Sequence, residues 1–186
     1  MNRDDALGII REHVTNENIV KHMLATEAVM GALAKKLDGN EEEWRLAGLL
    51  HDGDYCEVVP IEKQGIQIGV WIKEKGYDLS DEVKHAMAAH NCNNNGITPE
   101  SKMDWALFCC DSLTGLIVAT TLVYPDKKLA NISMDSVLKK FRATAFAKGT
   151  RREEIAMCTE KLGITLEEFI EISLKAMREI AGDLGL

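Results

Sequence analysis

His51-Asp52 closes the apolar run Leu49-Leu50 and sets an imidazole beside a carboxylate. The imidazole offers a nitrogen lone pair, and the carboxylate offers charge and two oxygens. A divalent first-row cation takes both donor types, which gives such a pair a purpose at the end of an apolar helix face. The doublet alone is common. It gains force from His22, in Lys21-His22-Met23-Leu24, and from Asp111, in Cys109-Cys110-Asp111-Ser112. An unpaired carboxylate within the apolar residues 107–113 would carry a large desolvation cost or protonate. Two readings of Asp111 follow: it completes a metal site with His22, His51 and Asp52, or it lies on a solvated stripe with Asp104 and Ser112 or pairs with an arginine.

The elements that must position these four residues read as helices. Apolar residues recur at helical spacing over 3–13 and from an Asn16 cap to about Leu37, the second stretch carrying His22. A third helix starts at Asn40 and delivers His51 and Asp52. Asn40 with Glu43, Thr150 with Glu153, and Thr165 with Glu168 fit capping boxes. Further helices are expected over 61–75 and from a Ser80 cap to His90, followed by a polar turn over 91–96. Thr98-Pro99-Glu100 fits a cap with Pro at the first helical position, opening the most apolar helix, about 100–123, which carries Asp111. The last two are expected near 151–162 and 166–182. No alternating strand pattern appears, so the chain reads as all-α, with about seven to nine helices. One domain over 1–186 is expected, with a core of about 16–124 and a C-terminal helical part of about 125–186.

A net charge of -8 gives no general attraction for nucleic acid or an anionic membrane. Residues 113–123, the longest apolar stretch, are too few to span a bilayer and include Thr114, Gly115, Thr120 and Thr121. The opening Met-Asn-Arg-Asp-Asp lacks a signal-peptide pattern. Five cysteines without a C-x-x-C pair fit reduced thiols in a cytoplasmic protein, with Cys109 and Cys110 as core filling.

The order His22, His51-Asp52, Asp111 resembles the HD superfamily of metal-dependent phosphohydrolases. Gly48-Leu49-Leu50-His51-Asp52, Ala89-His90-Asn91 and Asp111-Ser112-Leu113-Thr114-Gly115 extend the likeness to a bacterial and archaeal subgroup of predicted HD hydrolases, over about residues 20–186. The resemblance implies an HD-domain helical bundle with a C-terminal helical extension. It implies His22, His51, Asp52 and Asp111 as ligands of a divalent ion: Mn, Fe, Co, Ni, Zn or Mg. Some HD proteins add two histidines after the doublet and bind two ions. This chain offers His85 and His90, about 140° apart around a helix. His90 matches the pattern better, as an additional ligand, and His85 reads as structural. No histidine lies between Asp52 and His85, and the nearest polar stand-ins, Gln64 and Gln67, are poor ligands, so one firmly held ion is expected and a weaker second is left open.

The implied activity is hydrolysis of a phosphomonoester or phosphodiester, a nucleotide among the candidates. Asp52 has a spare oxygen to orient water. Asp54 and Glu57 are catalytic candidates as proton donors, as is His90 if it binds no metal. A small phosphorylated substrate needs cations within an acidic protein, and Lys139, Arg142, Lys148 and Arg151 are the counterweight in a segment rich in basic residues. A solvated amphipathic helix face is the other reading of that segment. Two rival functions remain: a non-catalytic regulatory domain binding metal or nucleotide, and a di-iron oxygenase, which would need a further histidine.

Overall fold

The computed structural model describes residues 1–186 as eleven α-helices without a strand. Asn2 and Asp5 exchange side-chain and backbone bonds and so open α1, Arg3–His13. Asn16 accepts the Asn18 N–H at the start of α2, Glu17–Leu37, and a left-handed Asp38 ends it. Asn40 accepts from Glu42 and Glu43 at the start of α3, Glu41–Leu50. Glu43 returns no bond, so the expected box is half built.

The helix expected over 61–75 is divided. A 3-10 turn, Ile61–Lys63, is followed by α4, Gln67–Glu74. The break falls at Gly65, which has φ 79°, because the Asp54 carboxylate takes up the N–H groups of Gly65 and Ile68. Ser80 caps α5, Asp81–Ala89, as expected. The polar turn over 91–96 contains a single helical turn, α6, Cys92–Asn95. α7, Lys102–Leu122, starts later than Thr98-Pro99-Glu100 suggests, because Ser101 and Asp104 form a full capping box. A further 3-10 turn, Leu129–Asn131, leads to α8, Met134–Arg142. α9, Arg152–Met157, runs on into a wider π turn, Cys158–Leu162. Its cap is Arg151 with no side-chain bond, so the box expected of Thr150 does not form. Thr165 caps α10, Leu166–Glu179, and α11, Ala181–Leu184, completes the chain.

α7 is the axis of the bundle. Leu107, Cys110, Leu113, Leu116 and Ile117 are fully buried on it, with α2, α5, α8, α9 and α10 around it. It is long and apolar enough to cross a membrane, at mean hydropathy 1.5, yet it lies mostly inside the protein as the core helix. Phe169, Ile170, Leu174 and Met177 of α10 join the same core, so one apolar interior runs through both parts of the chain. Arg3 ties α1 to α2 through a two-pronged contact with buried Glu27, at 2.6 and 2.9 Å.

The closest helix approach that matters for chemistry is α3 on α2. A Cβ at Gly48 would stand 2.9 Å from the Thr26 carbonyl oxygen and 3.0 Å from Glu27 Cα. No larger residue fits unless α3 withdraws from the helix that carries His22. Gly48→Ala is therefore expected to lower stability by about 1–3 kcal/mol, the usual cost of overpacking. Gly8, exposed in α1 with open space at its Cβ, is the control: Gly8→Ala should raise stability by about 0.5–1 kcal/mol. Urea unfolding of both variants checks this, and wild-type stability in Gly48→Ala would refute the packing argument.

Candidate metal centre

Two helix ends and two helix interiors bring the donors together. His51 and His90 are the C-cap residues of α3 and α5, where the last carbonyls lack helical partners. Each ring bends back onto such a carbonyl: His51 Nδ1 lies 2.8 Å from Gly48 O, and His90 Nδ1 meets Met87 O. Nδ1 then carries a proton, so in the neutral ring the lone pair is on Nε2. His22, on α2, has Nδ1 3.3 Å from Thr114 Oγ1. The Thr114 hydroxyl donates to Asp111 O at 2.8 Å and so accepts from His22. All three imidazoles thus present Nε2 inward.

His22 Nε2 lies 2.9 Å from Asp111 Oδ1, 3.2 Å from His51 Nε2 and 3.8 Å from Asp52 Oδ2. His51 Nε2 lies 3.6 Å from Asp52 Oδ2 and 3.9 Å from Asp111 Oδ1. Ligand atoms on one ion with bonds near 2.0–2.2 Å stand about 2.8–3.6 Å apart at right or tetrahedral angles. The separations among His22, His51 and Asp52, and those from His22 and His51 to Asp111, are at or slightly wider than those values, while Asp111 stands outside the compact group that the first three form. The two-nitrogen, two-oxygen donor set, already in the ligating tautomer, fits a divalent ion of intermediate hardness. His22, His51 and Asp52 alone form a cluster able to hold one. His90 Nε2 lies 3.4 Å from the other Asp52 oxygen, Oδ1, so Asp52 stands between His90 and the rest.

Burial and mutual charge set the protonation states. Desolvation pushes fully buried His51 down to about 4, so it is neutral near pH 7. Burial also opposes charge on Asp52 and Asp111, but the neighbouring imidazoles prevail and hold both below the usual carboxylate range. At His90 burial is outweighed by the Asp52 carboxylate, which lifts the ring to about 9. His22 is raised in the same way, against burial, by Asp111.

Asp111 and His22 also face a hollow. Ser112 and Gly115 continue their wall, and Ala147, Lys148, Gly149, Thr150 and Arg151 line it too. Lys148 and Arg151 line this hollow, whereas Lys139 and Arg142, exposed on α8, line no part of it. Two catalytic candidates are corrected. Asp54 is fully buried with both oxygens engaged by backbone N–H groups at 2.9 Å, so it anchors the turn that packs against His90 rather than serving as a free acid. A Cβ at Gly65 in that turn would collide with Met87 O and come within 3.0 Å of the His90 ring. Glu57 is exposed and lines a separate hollow with His13, Tyr55 and Gln64, which includes none of the four donors. His85 binds Asp104 at 2.8 Å, and His13 stacks on Trp71.

Two contributors lack a clear sequence signal. Thr114 orients His22, and only its place three residues after Asp111 hints at this. Glu154, buried beside the hollow, accepts from Arg151, Asn93 and Ser112, and nothing in its neighbourhood along the chain marks it. The protonation pattern makes a prediction. A cation must displace the proton that Asp111 favours on His22, so affinity should strengthen as pH rises through the range, above that of an ordinary imidazole, in which His22 loses it. Calorimetric Mn2+ titration in two buffers of different ionisation enthalpy should register proton release, and affinity independent of pH would contradict the assignment.

The HD domain family profile matches residues 19–114, which include all four donors. Ribonuclease Y of Desulforudis audaxviator is 35% identical over 85 residues, 46% of this chain and 16% of that protein. Ribonuclease Y of Onion yellows phytoplasma is 36% identical over 76 residues, 41% of this chain and 14% of that protein. The chain thus spans less than a fifth of the length of these relatives. An uncharacterised protein of Methanocaldococcus jannaschii is 32% identical over 149 residues, 76% of this chain and 85% of its own. No solved structure matches. The all-helical bundle, the matched segment and the near full-length archaeal relative agree that this chain belongs to the HD domain family.

Proposed function

We propose that the protein is a metal-dependent phosphohydrolase acting on a small phosphate ester. The observation that carries this reading is the shared hollow, in which His22 and Asp111 lie with the cations Lys148 and Arg151. His22, His51, Asp52 and Asp111 would hold the ion, with His90 at the second oxygen of Asp52. A divalent ion supplies Lewis acidity towards a phosphoryl oxygen and lowers the pKa of water it holds. The His/Asp set accepts Mn, Fe, Co, Ni, Zn or Mg, and availability selects among them.

The chain's own groups have distinct tasks. Asp52, with one oxygen towards His22 and His51 and the other towards His90, orients the attacking water. Lys148 and Arg151 bind the phosphate. His90, lifted to about 9, carries a proton at neutral pH and takes over from Asp54 and Glu57 as the donor to the leaving group. The name of the ribonuclease Y relatives lends support for phosphate-ester chemistry in general. Five free thiols, three of them buried, accord with a cytoplasmic location.

Purified protein loaded in turn with each metal, assayed against p-nitrophenyl phosphate, bis(p-nitrophenyl) phosphate and a nucleotide panel, tests the reading. His51→Ala and Asp111→Ala should lower kcat/KM about a hundredfold or more. Glu57→Gln should stay within about twofold of wild type, as a surface change does. Metal binding without turnover of any ester would favour a regulatory role instead.

A further inference from the structure

The segment before α9 is built in an unusual way. Arg152 lies in the basic stretch, yet its guanidinium forms no ion pair. It donates instead to six backbone carbonyls: Phe141 at 2.7 Å, Phe146 at 2.6 Å, Ala143 at 3.2 Å, Lys140 and Thr150 at 3.3 Å, and Ala147 at 3.5 Å. Five N–H donors thus gather carbonyls of the last turn of α8 and of the loop after it around a single cation. The N–H groups of Ala147, Lys148, Gly149 and Arg151 find no acceptor within the chain. Ala147 is left-handed at φ 44°, the kind of backbone reversal that turns successive N–H groups into an anion-binding concavity. These same residues line the hollow containing His22 and Asp111. Lys148 has no acidic partner. Arg151 is steadied through one nitrogen, Nη1, by Glu154, 2.9 Å away, which leaves its other donors free.

We propose that residues 147–151 form a subsite for the non-bridging oxygens of a terminal phosphate, held in shape by Arg152, and that the protein therefore prefers phosphomonoesters to phosphodiesters. This rests on the phosphohydrolase reading and deepens it. A monoester brings a dianion with three non-bridging oxygens to clustered N–H donors and two free cationic side chains. A diester brings one charge and two such oxygens, and its second ester arm would crowd the loop. Arg152 and Glu154 act as positioning residues, and Lys148 and Arg151 touch the substrate.

The test uses the Mn-loaded full chain and inorganic phosphate as probe. Calorimetry should find phosphate bound by wild type and by Lys139→Ala. Binding should weaken about tenfold or more in Lys148→Ala, which loses one charge-assisted contact. It should weaken similarly in Arg152→Lys, whose three donors cannot gather six carbonyls, while Mn affinity stays unchanged in both. In turnover, wild type should favour p-nitrophenyl phosphate over its bis ester, and Arg152→Lys should narrow that ratio. Lys148→Ala, an exposed change, keeps the test open if Arg152→Lys fails to fold. Unaltered phosphate affinity in both variants, or a wild-type preference for the diester, overturns the proposal. Phosphate bound in the predicted pattern without turnover of any ester would uphold the subsite while removing the hydrolase reading.

Discussion

Two carboxylates mostly hidden from water, Asp52 and Asp111, share a small volume with three imidazoles. Neither acid would remain ionised there alone, since desolvation opposes its charge. Both do, because the neighbouring imidazoles outweigh the burial and hold them below the usual carboxylate range. The rest of the structure is arranged to keep each of these five groups within 3.4 Å of another. Gly48 lets α3 close on α2, the freed carbonyls of two helix ends fix two rings, and Thr114 fixes the third. The energetic requirement comes first and the helix packing follows from it.

Much of this arrangement is legible in the chain because residue type and context agree. A histidine-aspartate doublet at the end of an apolar run, and an aspartate inside another, are costly unless they meet. That cost is visible without coordinates. The all-helical character is legible for the same reason: apolar spacing and caps at Asn16, Ser80 and Thr165 act locally. The illegible parts depend on where a loop returns. Asp54 differs from Asp52 by two positions, and only the fold of the following turn onto its oxygens separates a structural anchor from a member of the His/Asp cluster. That capture also divides the helix expected over 61–75. Pro99 looks like a helix start until the stronger exchange between Ser101 and Asp104 takes precedence.

Charge was the least informative property when read along the chain. The basic stretch contains cations in quite different situations: Lys139 and Arg142 point to solvent on α8, Lys148 is free in the hollow, Arg151 is braced by Glu154, and Arg152 serves backbone carbonyls. One composition covers four physical roles, and only the distances tell them apart. The family match ends at residue 114, so everything that lends the hollow its positive character comes from the C-terminal part of the chain. The matched domain supplies the His/Asp wall of a composite cleft whose other wall is the loop between α8 and α9.

The ring of carbonyls around Arg152 has a consequence for how this segment can change. Each acceptor is a main-chain atom, so most side chains between positions 140 and 150 could be exchanged without disturbing it. Adding or removing a residue would shift the register of every acceptor relative to the guanidinium. The segment is therefore tolerant of altered spelling and intolerant of altered length, the reverse of what an exposed surface turn usually permits.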